Sequence, residues 1–127
     1  MKYLLDTNAL LWVLENNHLL TKKAKNAIVN DRNDIYVSIV SLWEIAIKLS
    51  IRKLELTKTL NEIIEEMSRQ FLHVLPISVD AIRKIQMLPF HHRDPFDRII
   101  IAQAQADNLI IITKDQQFDH YDIKILW

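Results

Sequence analysis

Short apolar runs alternate with helix-length segments along the whole chain, and this alternation restricts the fold more than any other feature. Residues 2–5 read as a buried strand, followed by a short helix over 8–14 and another from the N-cap Thr21 to about Asn30. A strand at 35–38 precedes a helix at 41–52. The helix expected at 59–71 sets Leu60, Ile63, Ile64 and Met67 toward the core and Glu62, Glu65 and Glu66 outward. Pro76 interrupts the strand at 73–77 and so marks a sheet edge, because proline has no N–H for a central ladder. Next come a helix over 78–88 and a nearly all-apolar, hence buried, helix over 95–107. The unbroken apolar run at 109–113 reads as a central parallel strand covered on both faces, and 123–126 ends the sheet. The pattern predicts one α/β domain over 1–127: three layers, α/β/α, around a mainly parallel sheet of about five strands.

Composition excludes several chemistries. The chain has 127 residues, half of them apolar, which suffices for a packed core. It has no cysteine, which rules out disulfides, thiol catalysis and thiolate metal sites. It has no glycine, which rules out phosphate-cradling glycine loops and the dinucleotide fingerprint. Left-handed positions then fall to asparagine, with Asn16, Asn17, Asn33 and Asn108 placed where helices or turns end. No apolar run reaches the roughly 20 residues of a membrane helix, and no secretory leader pattern precedes the first strand; a cytoplasmic protein is expected. The net charge is zero, from 16 basic and 16 acidic residues. With four acids sequestered around a metal, 12 acids would face 16 bases, leaving a surface able to meet a polyanion.

Four carboxylates fall where a strand hands over to a helix. Asp6 closes the first strand, Glu44 opens the helix after the second, Asp97 sits just inside the helix opened by Asp94-Pro95-Phe96, and Asp115 follows Thr113. In a parallel α/β sheet these positions share the carboxyl edge, where such folds bind ligands. Carboxylates crowded there repel unless protonated or neutralised by a cation; the simplest neutraliser is Mg²⁺ or Mn²⁺, which prefer oxygen donors. Each acid also has a purely structural role available. Asp6 can cap the first helix and Asp115 the short turn before Phe118, Ser41-Leu42-Trp43-Glu44 fits a capping box, and Asp94-Pro95-Phe96-Asp97 fits an N-cap with proline at N1 and a dipole-favourable acid at N3. Between Asp94 and Asp97, Asp97 is the expected ligand, because the residue before proline is pushed toward a capping conformation; Asp94 remains close enough to assist.

The motifs Leu4-Leu5-Asp6-Thr7-Asn8, Trp43-Glu44-Ile45-Ala46, His92-Arg93-Asp94-Pro95-Phe96-Asp97-Arg98 and Thr113-Lys114-Asp115, in this order, resemble a PIN domain and, more narrowly, VapC-type toxins of bacterial toxin–antitoxin pairs. The resemblance spans nearly the whole chain. It implies a PIN-like fold and a metal-dependent ribonuclease with Asp6, Glu44, Asp97 and Asp115 in the acidic positions. It also implies RNA as substrate and a homodimer silenced by a small antitoxin.

In such a hydrolase, Asp6, on the most rigid element, is expected to ligate or bridge the primary metal. Asp97 and Asp115 would ligate directly or through water, and Glu44 would ligate or orient the nucleophile. Lys48 contacts either the scissile phosphate or Glu44 one turn away. Thr7, Asn8, Ser38 and Thr113 are candidates for supporting the ligands, or for plain caps and turns. His91, His92, Arg93 and Arg98 form a basic cluster able to grip an RNA backbone, or a solvated loop; zinc ligation by the two histidines is not expected. Trp12, Trp43 and Trp127 read as core or interface residues. The helix at 41–52 carries two apolar stripes, Trp43-Ile47-Ile51 and Leu42-Ile45-Leu49, so part of it should meet another chain. The rival reading is a Mg²⁺-binding phosphoacceptor-like signalling or binding domain; the strand at 35–38, taken as the middle one, ends in Ser38 where an acceptor aspartate would be needed.

Overall fold

The computed structural model describes residues 1–127. Five strands and six α-helices follow one another as β1 (Lys2–Leu5), α1 (Thr7–Glu15), α2 (Lys22–Val29), β2 (Asp34–Ser38), α3 (Ile39–Ser50), α4 (Leu60–Arg69), β3 (His73–Leu75), α5 (Val79–Met87), α6 (Pro95–Asp107), β4 (Ile110–Ile112) and β5 (Ile125–Leu126), with a 3-10 helix at Gln116–His120. All strands are parallel, in the order β3-β2-β1-β4-β5. The expected edge strand with its trailing Pro76 is an edge, and the apolar run of β4 lies between β1 and β5. The middle of the sheet is β1, rather than the 35–38 strand, so the central strand ends in Asp6.

Strand alternation builds two cores, one on each face. Tyr3, Leu5, Ile35, Val37 and Ile112 pack with Leu10, Ala24, Ile45, Ile63 and Met67. Leu4 and Ile111 face the other way, toward Ile100, Ile101, Ala104, Phe118 and Tyr121. A helix layer on each face is what a parallel sheet requires, since both faces are apolar. The 95–107 helix is buried as expected, with Ile99 to Ala104 all inside. Its Gln103 reaches the edge strand, donating to the carbonyls of Leu75 and Pro76 at 3.4 and 3.2 Å.

With no glycine to use, four other residues take left-handed backbone: Asn16, Arg52, Phe71 and Asn108. Asn16 and Asn108 end α1 and α6 as expected. Asn17 and Asn33 keep negative φ and work through their side chains. Asn17 accepts from the Leu19 N–H at 2.9 Å, and Asn33 donates to the Ala27 carbonyl at 2.9 Å.

On α3 the two stripes part. Ile45 is fully buried, with Leu42 and Leu49 packed against the same core. Trp43 and Ile51 face outward, 60% and 54% exposed. Of the other tryptophans, Trp12 and Trp127 pack against each other, ring centres 5.5 Å apart, beside the first core.

Candidate metal centre

Register decides which side chains meet. Leu5 pairs with Val37 on one side and Ile112 on the other, so the next residues, Asp6, Ser38 and Thr113, emerge side by side at the carboxyl edge. Asp6 is buried and divides its two oxygens. Oδ1 caps α1 by accepting the Ala9 N–H at 2.7 Å, and Oδ2 accepts from the Thr113 hydroxyl at 2.5 Å. Thr113 in turn accepts the Asp115 N–H at 3.0 Å. Asp115 caps the 3-10 helix through Oδ1, 2.9 Å from the Gln117 nitrogen. Asp94 caps α6, its Oδ1 accepting from the N–H groups of Phe96 and Asp97 at 2.8 and 3.2 Å. The expected caps at Asp6, Asp94 and Asp115 therefore all form. Asp97, at N3, caps nothing, and its carboxylate turns to the edge.

The capping box expected at Ser41–Glu44 does not form. Ser38 ends β2 and caps α3 itself, accepting the Val40 N–H at 3.0 Å, so the helix begins three residues earlier and Glu44 lies well inside it. The box occurs instead at Thr59 and Glu62, heading α4. Glu44 is buried, with Oε1 2.8 Å from the Thr7 hydroxyl and Oε2 2.7 Å from Lys48 Nζ. Thr7 also lies 2.9 Å from the Ser41 hydroxyl; both contacts are satisfied when Ser41 donates to Thr7 and Thr7 to Glu44. Lys48 is thus the ion-pair partner one turn on, and the bond to Glu44 raises its pKa. Asn8 is exposed on the first turn of α1.

The basic cluster does not act as a unit. Arg98 is buried and faces away from the acids. Its Nη1 donates to the carbonyls of Pro89 (2.9 Å) and His92 (3.2 Å), its Nη2 to that of Leu88 (3.1 Å), and the Phe90 ring lies 3.9 Å from its guanidinium. Three carbonyls of one loop absorb its donors, so Arg98 holds a loop and is no backbone-gripping group. Exposed His91 packs on Tyr121 and His120. His92 is only 6% exposed, and its Nε2 comes within 2.8 Å of Asp97 Oδ2 and 3.4 Å of Asp115 Oδ2. These three side chains bring metal-capable atoms together, all within 4.8 Å of one another. The sequence alone reads His92 as part of a basic cluster without metal-site spacing; only tertiary structure sets it against Asp97 and Asp115.

The electrostatics record the crowding. Burial pushes the Asp97 carboxyl up to about 8, with Asp94, Asp6, Glu44 and Asp115 adding repulsion. Burial pushes Asp6 to about 6, against hydrogen bonds from Thr113 and Ala9 that favour its charge.

Fold and site together define an α/β protein with a cluster of carboxylates at the carboxyl edge of a parallel sheet. The PIN domain family model matches residues 3–124, and the chain belongs to that family. Solved structures of low sequence identity share the fold. VapBC2 from Rickettsia felis, bound to a DNA fragment from its promoter, superposes with a TM-score of 0.75 at 18% identity, covering 99% of this chain and 98% of that one. A toxin–antitoxin complex from Klebsiella pneumoniae gives 0.66 at 20% identity, covering 98% and 96%. VapBC-5 from Mycobacterium tuberculosis, of the VapBC family of toxin–antitoxin systems, gives 0.60 at 19% identity, covering 98% and 97%. No curated protein matches the sequence. No helix is long and apolar enough to cross a membrane.

Proposed function

We propose that this chain is a metal-dependent endoribonuclease, the toxin of a toxin–antitoxin pair, with Asp6, Glu44, Asp97 and Asp115 as its acidic machinery. The observation that carries the reading is Asp97. A carboxyl that caps nothing, driven to about 8 by burial and by four neighbouring acids, is ionised at neutral pH only when a cation joins it. The donor set suits Mg²⁺ or Mn²⁺, because it is dominated by carboxylate oxygens. Asp6, Asp97 and Asp115 are the residues to hold the ion, with Glu44 beside them. When bound, a divalent ion supplies an activated water and charge neutralisation at the phosphoryl group.

The chain's own part is to fix the oxygens. In Asp6 and Asp115 one oxygen is committed to a helix cap, which orients the other. Thr113 ties Asp6 to the backbone of Asp115, and Thr7 with Lys48 sets the Glu44 carboxylate. Capping and ligation are therefore compatible here, which supports a ligand role for these acids beside their caps. The test is cleavage of RNA with Mg²⁺, Mn²⁺ or chelator, beside a calorimetric titration of the ions. A chain that binds neither ion, or cleaves equally well in chelator, refutes the proposal.

Partners follow from the surface and the relatives. Trp43 and Ile51 on α3, and Val79, Ile82, Met87 and nearby Phe90 around α5, are exposed apolar side chains able to meet another chain. They support a homodimer, and the relatives found in toxin–antitoxin complexes support a small protein antitoxin as the second partner. A monomer in sedimentation at micromolar concentration would overturn the dimer.

A further inference from the structure

His92 is more firmly held than a loop histidine need be. Its backbone N–H donates to the Tyr121 hydroxyl at 2.8 Å, and that hydroxyl donates to the Pro89 carbonyl at 2.7 Å. Its carbonyl accepts from Arg98 at 3.2 Å. Its ring meets Phe118 edge-on, with centres 5.7 Å apart. Two buried side chains and a core phenylalanine thus set the position of one imidazole.

The ring's hydrogen bonding fixes its tautomer. Nδ1 accepts the Asp94 N–H at 3.3 Å, so the proton of the neutral ring sits on Nε2. That N–H is buried and aimed between two carboxylates, 2.8 Å from Asp97 Oδ2 and 3.4 Å from Asp115 Oδ2, yet in line with neither. An Nε2 that carries the proton has no lone pair for a metal. It is a donor, and a buried donor without an aligned acceptor is disfavoured until one turns to meet it.

We propose that His92 is a positioning residue of the acidic cluster: its Nε2–H fixes the Asp97 carboxylate, with Asp115 alongside, in the orientation that receives a divalent cation. A small turn of the Asp97 carboxylate aligns Oδ2 with this N–H and leaves the other oxygen for the ion. The Arg98 and Tyr121 contacts then serve the site indirectly, by fixing the loop that carries the imidazole. Outer-shell donors of this kind orient ligands and typically govern metal affinity by about 10- to 100-fold. The inference rests on the acidic cluster being a cation site.

The test is calorimetric titration of Mn²⁺ into the intact chain and two variants, with pulsed electron paramagnetic resonance on the wild type. His92→Phe keeps a ring against Phe118 and removes the donor; its Mn²⁺ affinity is expected to fall about 10- to 100-fold. His92→Gln restores an N–H at similar reach and is expected to recover most of the loss. The wild-type resonance spectrum is expected to show no nitrogen bonded directly to Mn²⁺, a measurement that needs no variant to fold. Unchanged affinity in a folded His92→Phe, a glutamine variant as weak as the phenylalanine one, or a directly bonded nitrogen each overturns the role given to His92. A wild type that binds no Mn²⁺ overturns the cation site itself, whereas tight wild-type binding with an unaffected phenylalanine variant overturns this inference alone.

Discussion

Replacing Asp6 by asparagine should stabilise the metal-free protein while destroying its activity. Asp6 is raised from 3.8 to about 6, chiefly by burial. Roughly two pKa units, at about 1.4 kcal/mol each, put the cost of holding this charge in the fold near 3 kcal/mol at neutral pH. Asparagine removes the charge and keeps an oxygen for the Ala9 N–H cap. It gives up the charge-assisted bond from Thr113, a loss of about 1–2 kcal/mol. The net gain is about 1–2 kcal/mol, on the order of 5 °C in Tm for a chain of this size.

The pH dependence gives the sign. A raised carboxyl contributes stability that is complete below the unfolded value and is lost as pH rises through the folded one. Below about pH 4 the lost Thr113 bond should therefore leave the variant the less stable by about 1–2 kcal/mol, and the variant should overtake the wild type through pH 6. Asp97, raised to about 8, carries the wild type's decline further, and less so in the variant because Asp6 is one of its causes. Excess Mn²⁺ should reverse the order, since only an intact site gains stability by binding. The assays are thermal melts in chelator and in Mn²⁺ across pH, with RNA cleavage in parallel. A variant melting at or below wild type in chelator at neutral pH refutes the electrostatic argument, and unchanged cleavage refutes the site.

Other expectations separate structural from chemical roles. Ser38→Ala, which removes the α3 cap, should lose about 1 kcal/mol in denaturant melts, whereas Glu44→Gln should stay folded, keep its acceptor for Thr7 and lose cleavage; full activity in Glu44→Gln would leave Glu44 a structural residue. Arg98→Ala should cost about 3 kcal/mol or more, because it strips three carbonyls of their donor, and should weaken RNA binding only through the loop; a stable variant with weakened RNA affinity would revive Arg98 as a backbone-gripping group. Phe71→Gly should stabilise by roughly 1 kcal/mol, since φ is +58° and the side chain is exposed, and an unchanged Tm would deny that this position is strained.

The elements and most caps were legible because they are local. A proline fixes an edge or an N1, an aspartate before a proline has to cap, and an unbroken apolar run has to be covered on both faces. The four acids were legible because a parallel α/β sheet sends every strand end to one edge whatever the strand order. Where local signals compete, the tertiary structure decided. Two serines three apart could each cap α3, and Ser38 does so because the strand runs straight into the helix. Arg52 and Phe71 take left-handed backbone because, without glycine, the chain's path has to be met by the residues present. Strand order made β1 the centre, a long-range pairing with no local signature. Long-range contact likewise turned Arg98 inward onto loop carbonyls, left the Trp43 stripe outside, and set the His92 imidazole between two aspartates. A side chain's type says what it can bond to; only the fold says which partner is within 3 Å.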